Sequence, residues 1–523
     1  MSRSGVGAVR LLGAAMAVAL LAACAPSVAD PASAPASAPG VAPRSASGSS
    51  PAPSSAATSD PPGGTAEQAP KPVPLTADRG RQSGGVVAHG GDAPYNYGPT
   101  ILLEGGRHRM WWCSQLMVAA PPGDDLLYAE SASAAGPFAS PGGAQAVPVL
   151  SGSVTGFDGV HTCDPSVIKV GDTYYLYYTG AAGDHANGNA IGVATSPDGT
   201  TWTRAAGGKP IVSPSYDEVR DNTYGAGQPS VVVVDGWFHL MFTDTTGEAA
   251  GWNGAGQFVL RSKDPRFASG VQALGPGGFQ QVPDTRSKRT RSVVDAFSAD
   301  WMYVAALHAF VIAHETEHGT TLTFWNKEFT ANPHPQVHIP GPWREGPGLV
   351  RTPLGHAPVN ADDPCGRIAV DVVRATLDGA AAAPTDLTQF GLDLVNVPGC
   401  AHEDSAALLR GYAVPSPANT TDLVLDGEVV RLERRSVTDR LATRVLNRRP
   451  PVVDDLPVAA EVPAGAKAVR GPDGQVGLVL EDRLWALGRG EAAIEVVTLN
   501  SSRLTSVTKK EWDSYEKAGA LRR

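Results

Sequence analysis

Three carboxylic acids open stretches that otherwise read alike. Asp164 begins "DPSVIKVGDTYYLYYT", Asp300 begins "DWMYVAALHAFVIAHE", and Glu345 directly precedes "GPGLV". Acids gathered in one concave site raise one another's pKa, or divide into a protonated and an ionised group. Such a pair can serve as general acid and general base on the two sides of a glycosidic bond. An Asp before a proline is also an ordinary turn residue that caps backbone N–H groups without doing chemistry. The choice between these readings depends on whether the acids converge, and therefore on the elements that carry them.

Two further stretches share the pattern: "GPTILLEGGRHRMWWC" from Gly98 and "QPSVVVVDGWFHLMFT" from Gln228. Each copy reads as a strand, a tight turn and a returning strand rich in aromatic and β-branched residues. Gly346-Pro347 anchors a weaker fifth copy. A third element follows at a steady offset, "LLYAES" ending at Ser131, "AIGVATS" at Ser196 and "QFVLRS" at Ser262, with "TLTFWN" ending at Asn326 as a looser fourth. About four antiparallel strands per copy, repeated at this period, predict an all-β fold: a five-bladed β-propeller over residues 79–407. A series of β-sandwiches would need units of ~100 residues, longer than these. In a propeller the starts of the innermost strands converge on one mouth. The anchors Gly98, Asp164, Gln228, Asp300 and Glu345 are therefore expected to form a ring.

"DPSVIKVGDTYYLYYT" and "EGPGLV" resemble the five-bladed propeller glycosidases of glycoside hydrolase family 43 and its relatives. The resemblance implies that Asp164 is the general base, that Asp300 orients the acid and tunes its pKa, and that Glu345 is the general acid. This chain departs from the family in placing a Gly-Pro repeat before the Asp-Pro one, a circular shift of the usual order. Trp301 stands where a proline is usual after the second acid, and Asp295, in "SVVDAFSAD", competes for that role. Tyr97, His161, Gln228 and Asp295 are candidate substrate contacts, since aromatic and amide groups suit sugar faces and hydroxyls. Tyr95, Asn96, Asn222 and Tyr224 fall near the same mouth. The run Tyr174, Tyr175, Tyr177 and Tyr178, with Trp111 and Trp112, reads as core between repeats. "SPDGTTW" at Ser196 is one residue short of the sialidase Asp-box, and the other repeats lack it. No metal-ligand cluster of recognisable spacing is present, so no cofactor and no metal are expected.

Residues 1–23 carry Arg3, Arg10, an apolar run and "LAAC", a secretory leader rather than a membrane span. Its end resembles the lipobox of bacterial lipoproteins, which implies lipidation of Cys24. Residues 24–78 read as a Pro/Ala/Ser-rich tether. Ala25 to Leu75 holds 12 prolines and five charged residues, and no aromatic residue precedes Tyr95. Such a segment buries too little to offset its ordering entropy. The expected place is the cell envelope, exported and held to a membrane by the lipid. The four remaining cysteines suggest two disulfides: Cys113 with Cys163, which bracket the first repeat's return and the second anchor, and Cys365 with Cys400. Residues 408–523 read as two small β-rich repeats, "LVLDGEVVRL" and "LVLEDRLWAL", closed by a short helix near "KKEWDSYEKAGALRR".

A net charge of −10 without a basic patch argues against nucleic acid. A monomer is expected. Three functions remain open at this point. The first is a lipid-anchored glycoside hydrolase that cleaves a pentose-containing poly- or oligosaccharide by inversion. The second is a non-catalytic glycan-binding lipoprotein on the same scaffold. The third is a phosphorylase, which would need cations at the mouth, and the ring anchors include no Lys or Arg.

Overall fold

A computed structural model describes residues 72–83, 86–88, 95–116, 122–144, 146–183, 187–378 and 384–521. All belong to one compact unit, Gln68–Arg523. The leader, Cys24 and the tether as far as residue 71 lie outside the described residues. Among the described residues no helix is long and apolar enough to cross a membrane. Strand is the predominant regular structure among the described residues.

The repeat takes shape as successive antiparallel sheets. In the second, His161–Val170 pairs with Thr173–Ala181, which pairs with Ala190–Ser196 and then Thr203–Arg204. Two-residue turns close the first hairpin in three repeats, at Gly105-Gly106, Gly171-Asp172 and Asp235-Gly236. Asp235 and Gly236 have φ of 51° and 73°, the left-handed pair that lets hairpin strands keep their twist. The fourth repeat turns instead through a short 3₁₀ stretch, Ala305–Leu307, between Ala299–Val304 and Ala309–Thr316. In the fifth, Gly348–Arg351 pairs with Val372–Asp378, which pairs with Pro384–Phe390. The outermost strand of that sheet, Val86–Ala88, comes from the other end of the unit.

The first strands of the repeats touch in order: Asn96–Glu104, His161–Val170, Ala226–Val234, Ala299–Val304, Gly348–Arg351, and back to Asn96–Glu104. Gly348–Arg351 even pairs in parallel with Asn96–Glu104, Val350 opposite Ile101. Aromatic residues fill the space between neighbouring sheets. Trp111, Tyr128, Tyr174 and Tyr178 pack in one cluster, and Trp112 in the next. "SPDG" proves to be a self-capped turn, with Asp198 accepting from Thr200 N and Thr201 N at 2.7 Å each.

At its start each of the first three inner strands carries a bulge, at Gly98-Pro99, Asp164-Pro165 and Gln228-Pro229. Gly98, Asp164 and Gln228 have φ of 56°, 48° and 52°, and Gly346 has 67°. Proline has no N–H for the ladder, so it belongs at such a break. A bulge re-aims the side chain beside it. The fourth strand lacks this device: Asp300 pairs in regular register with Ala313.

Between the inner strands lies a side chain that the sequence did not single out. Arg351 is fully buried. Its Nη2 donates to Thr100 Oγ1 at 2.8 Å, and its Nη1 donates to Trp301 O at 3.0 Å and Ser230 Oγ at 3.2 Å. Ser166 Oγ lies 3.5 Å from Nη2. Thr100, Ser166 and Ser230 each stand two places after an anchor. One guanidinium thus touches the inner strands of the four other repeats.

Residues beyond 408 form two five-stranded sheets with the same internal order, one on Tyr412–Pro415, Thr421–Val424 and Val429–Leu432, the other on Ala468–Arg470, Val476–Leu480 and Arg483–Gly488. Each chain of three is followed by a helix, Arg435–Leu441 or Glu491–Leu499. The closing segment is part helix, Lys509–Ser514, and part strand, Glu516–Ala520, because that strand completes the second sheet beside Arg483–Gly488. The first small sheet shares its core with the body: Val414, Val424 and Val429 pack in one cluster with Met302, Leu322 and Leu394. The N-terminal side also joins earlier than the expected end of the tether at 78. Val73 enters that cluster, and Leu75–Ala77 pairs with Leu392–Val395.

Candidate active site

The strand starts, three of them bulged, bring Gly98, Asp164, Gln228, Asp300 and Glu345 to one cavity, together with the prolines that follow three of them. It offers about 40 Å³, room for about one water molecule. The anchors are close-set: a Cβ on Gly98 would lie 3.4 Å from Asp164 Oδ1, and one on Gly346 would lie 3.0 Å from the Gly98 Cα. Glycine at Gly98 leaves space for Asp164, and at Gly346 for the backbone of Gly98.

Asp164 is 8% exposed. Its Oδ2 accepts from the Tyr224 hydroxyl at 3.2 Å. Burial pushes its carboxyl above the usual range, while His161, the Thr179 hydroxyl and Tyr224 favour the ionised form. Glu345 is open to the mouth but crowded by protein around its sides. Gln228 Nε2 donates to its Oε1 at 3.1 Å. That crowding, then the charge of Asp164, pushes Glu345 up to about 7. Both acids are thus raised in proton affinity by burial, and Glu345 also by the charge of Asp164, the kind of shift on which acid–base chemistry draws.

His161 stands beside them. A His161 ring nitrogen, Cys163 Sγ and an Asp164 oxygen lie within 4.8 Å of one another. His161 Nδ1 is hydrogen-bonded to Asp124, whose other oxygen takes the Tyr95 hydroxyl. Burial lowers the His161 pKa, but Asp124, then Asp164 and Glu345, outweigh it and hold the imidazole above its ordinary value. Tyr97 reaches the same place: its hydroxyl lies 3.0 Å from Cys163 Sγ, and burial among Glu345, Asp164 and Tyr224 pushes its pKa well up. It therefore stays a neutral donor. The Cys113–Cys163 bond has its Cα atoms 4.8 Å apart, and Cys365–Cys400 closes with 5.3 Å. Cys113 lies opposite Tyr97 in register, so that crosslink backs the wall of the mouth.

Asp300 lines the cavity but is otherwise engaged. Its Oδ2 accepts from Leu349 N at 2.7 Å, its Oδ1 accepts from Trp301 N and from the Ser230 hydroxyl, and Arg351 Nη1 lies 3.1 Å away. With its oxygens satisfied by fixed donors, it braces the strands under the acids. Asp295 does not line the mouth; it lines a neighbouring cleft. Asp124, Thr179 and Arg351 were missed in the sequence. Arg351 had a signal, as the sole charge in "GLVRTPL", and so had the hydroxyl two places after three anchors. Asp124 had none, since its turn lies outside the repeat.

Two groups of metal-capable side chains near the mouth include Cys113 or Cys163, whose sulfurs are committed to the disulfide. A third, His308, His402 and Asp404, has Lys327 Nζ 3.8 Å from Asp404.

No family model matches the chain, and no curated protein matches it. Among solved structures the chain is similar to a family 117 glycoside hydrolase from Zobellia galactanivorans, at 13% identity and TM-score 0.40, covering 62% of this chain and 91% of that one. It is similar to an alpha-L-arabinofuranosidase from Podospora anserina at 14% identity and TM-score 0.36, covering 60% and 95%. It is also similar to the catalytic domain of a GH62 alpha-L-arabinofuranosidase from Coprinopsis cinerea, at 13% identity and TM-score 0.35, covering 61% and 97%.

Proposed function

We propose that the chain is a glycoside hydrolase on a five-bladed propeller, exported and anchored through a lipid on Cys24, that cleaves a pentose-containing oligo- or polysaccharide with inversion. One observation carries the reading: Asp164 and Glu345 share a cavity in which burial raises both carboxyls, Glu345 to about 7, while His161 and two hydroxyls oppose the shift at Asp164. The five strands that touch in a ring support the propeller. The pentose and the lipid anchor rest on the sequence motifs alone.

In the proposed reaction Asp164 takes a proton from a water as its oxygen bonds to the anomeric carbon. Glu345 gives its proton to the glycosidic oxygen as that C–O bond breaks. The products are a hemiacetal of inverted configuration and a free hydroxyl. Asp164 ends protonated and Glu345 ionised, and exchange with solvent restores both. Asp300 and Arg351 position the strands and touch no substrate. Tyr97, His161 and Gln228 would contact the sugar.

The test is a screen with aryl α-L-arabinofuranoside, aryl β-D-xyloside and a polysaccharide panel, with NMR of the first-formed anomer. Hydrolysis with inversion, lost in Asp164→Asn and Glu345→Gln, is expected. Retention of configuration would refute the mechanism. Saturable binding of a glycan without turnover of any substrate would establish the non-catalytic lipoprotein instead.

A further inference from the structure

On the strand Ala309–Thr316 one face presents Phe310, Ile312, His314 and Thr316 in turn. Phe310 and Ile312 are packed into an apolar cluster with Trp301 and Phe329. The next two positions, toward the end of the strand that meets the mouth, are polar. The adjacent strand does the same, with Trp325 and then Thr323 on that face. Where the apolar packing stops, a cleft of about 660 Å³ opens, lined by these residues together with Asp295, His334 and Gln336. That volume is in the range of small-molecule sites, whereas the cavity at the mouth holds about one water.

The cleft begins one strand spacing from the mouth. His314 lies directly opposite Ala299, and Ala299 lines the mouth beside Asp300. Its lining is uncharged apart from Asp295 at the exposed edge. Burial pushes His314 down to about 4, so its imidazole is neutral at physiological pH. His314 Nε2 and Gln336 Nε2 each meet the Thr323 hydroxyl at 3.0 Å, a set of neutral donors and acceptors. Trp325 is partly buried, with its ring fixed by Nε1 donating to Val293 O at 3.0 Å. Neutral hydrogen-bonding groups around a fixed indole suit a carbohydrate and neither an anion nor an apolar ligand.

We infer that this cleft on the fourth repeat is a second glycan subsite, which takes the sugars adjoining the one held over Asp164 and Glu345. The substrate is therefore an oligosaccharide of several residues rather than a disaccharide or a simple glycoside. The inference rests on the proposed glycosidase reading, and it gives Asp295 a place that the mouth does not.

The test compares kcat/KM for an aryl pentoside with kcat/KM for arabino- and xylo-oligosaccharides of increasing length. It uses the full chain and the variants Trp325→Ala and His334→Ala/Gln336→Ala, the second pair standing on the loop before Val337–Pro340. The ratio of long substrate to aryl pentoside is expected to rise with length in the parent and to fall roughly tenfold in both variants, the scale of one lost aromatic contact. A ratio that does not rise with length, or one that both variants leave unaltered, overturns the subsite. If no glycoside turns over, the glycosidase reading falls instead. The subsite is then judged by calorimetric titration of the same oligosaccharides. Binding that the variants weaken supports it; absent binding, or binding that they leave unchanged, overturns it.

Discussion

Glu345 titrates near 7 and must hold its proton to act as an acid. The rate is therefore expected to fall as pH rises through about 7, and a pH profile of kcat/KM checks this. Glu345→Gln should remove that limb and lose most on substrates with poor leaving groups, while aryl glycosides whose leaving group needs no proton keep more of their rate. Asp164→Asn should lose roughly a hundred- to ten-thousandfold in kcat whatever the leaving group, the scale of a general base. Stability supplies an independent check. The folded pKa of Glu345 lies above that of an unfolded glutamate, so the folded state binds the extra proton, and stability falls as pH rises between the two values. Glu345→Gln should therefore melt higher than the parent above pH 7 and no higher than it at pH 4. Equal melting shifts at both pH values would show that Glu345 is not strained by its surroundings.

At the scale of elements, the bulged strand start turns an acid toward the mouth. Asp164 and Gln228 hold left-handed φ without being glycine, at a typical cost of about 1–3 kcal/mol each. Such strain persists only where neighbouring structure enforces it, and beside Asp164 the enforcing element is the Cys113–Cys163 crosslink with Tyr97 against it. Replacing both cysteines by alanine should lower unfolding stability by about 2–4 kcal/mol, the usual span for a native disulfide. It should also reduce kcat, whereas Cys365→Ala/Cys400→Ala, which do not line the cavity of the acids, should lower stability alone. Urea unfolding and kinetics on the two double variants distinguish these outcomes.

For the whole molecule, two features join parts that the sequence keeps far apart. Arg351 ties the inner strands together and faces Asp300. Arg351→Met would leave that carboxylate buried without its cation, so a loss of about 3–5 kcal/mol is expected. Adding Asp300→Asn should recover part of it, measured by urea unfolding. The first small C-terminal sheet shares an apolar cluster with the body. A chain ended at residue 407 is therefore expected to expose that cluster and aggregate, and one ended at residue 465 to aggregate through a second cluster, in which Leu423 and Val430 pack with Leu478 and Trp485. Size-exclusion profiles of the two truncations test this.

The strand-turn-strand copies, their shared anchor and the two disulfide pairs were legible in the sequence because each rests on local chemistry. Alternation sets the strands, Gly and Asp set the turns, and an anchor two places before a hydroxyl recurs in "GPT", "DPS" and "QPS". The convergence of Asp164 and Glu345 followed from the repeat alone. Three things needed the tertiary structure. Asp300 occupies the anchor position in sequence, but a regular register instead of a bulge sends its carboxylate to Arg351 and backbone donors. Asp124 reaches His161 from a turn with no counterpart in the other repeats. The raised proton affinity of Asp164 and Glu345 depends on which groups crowd each one. Local sequence states where a side chain begins; burial and partners, set by strands far away in the chain, decide what it does.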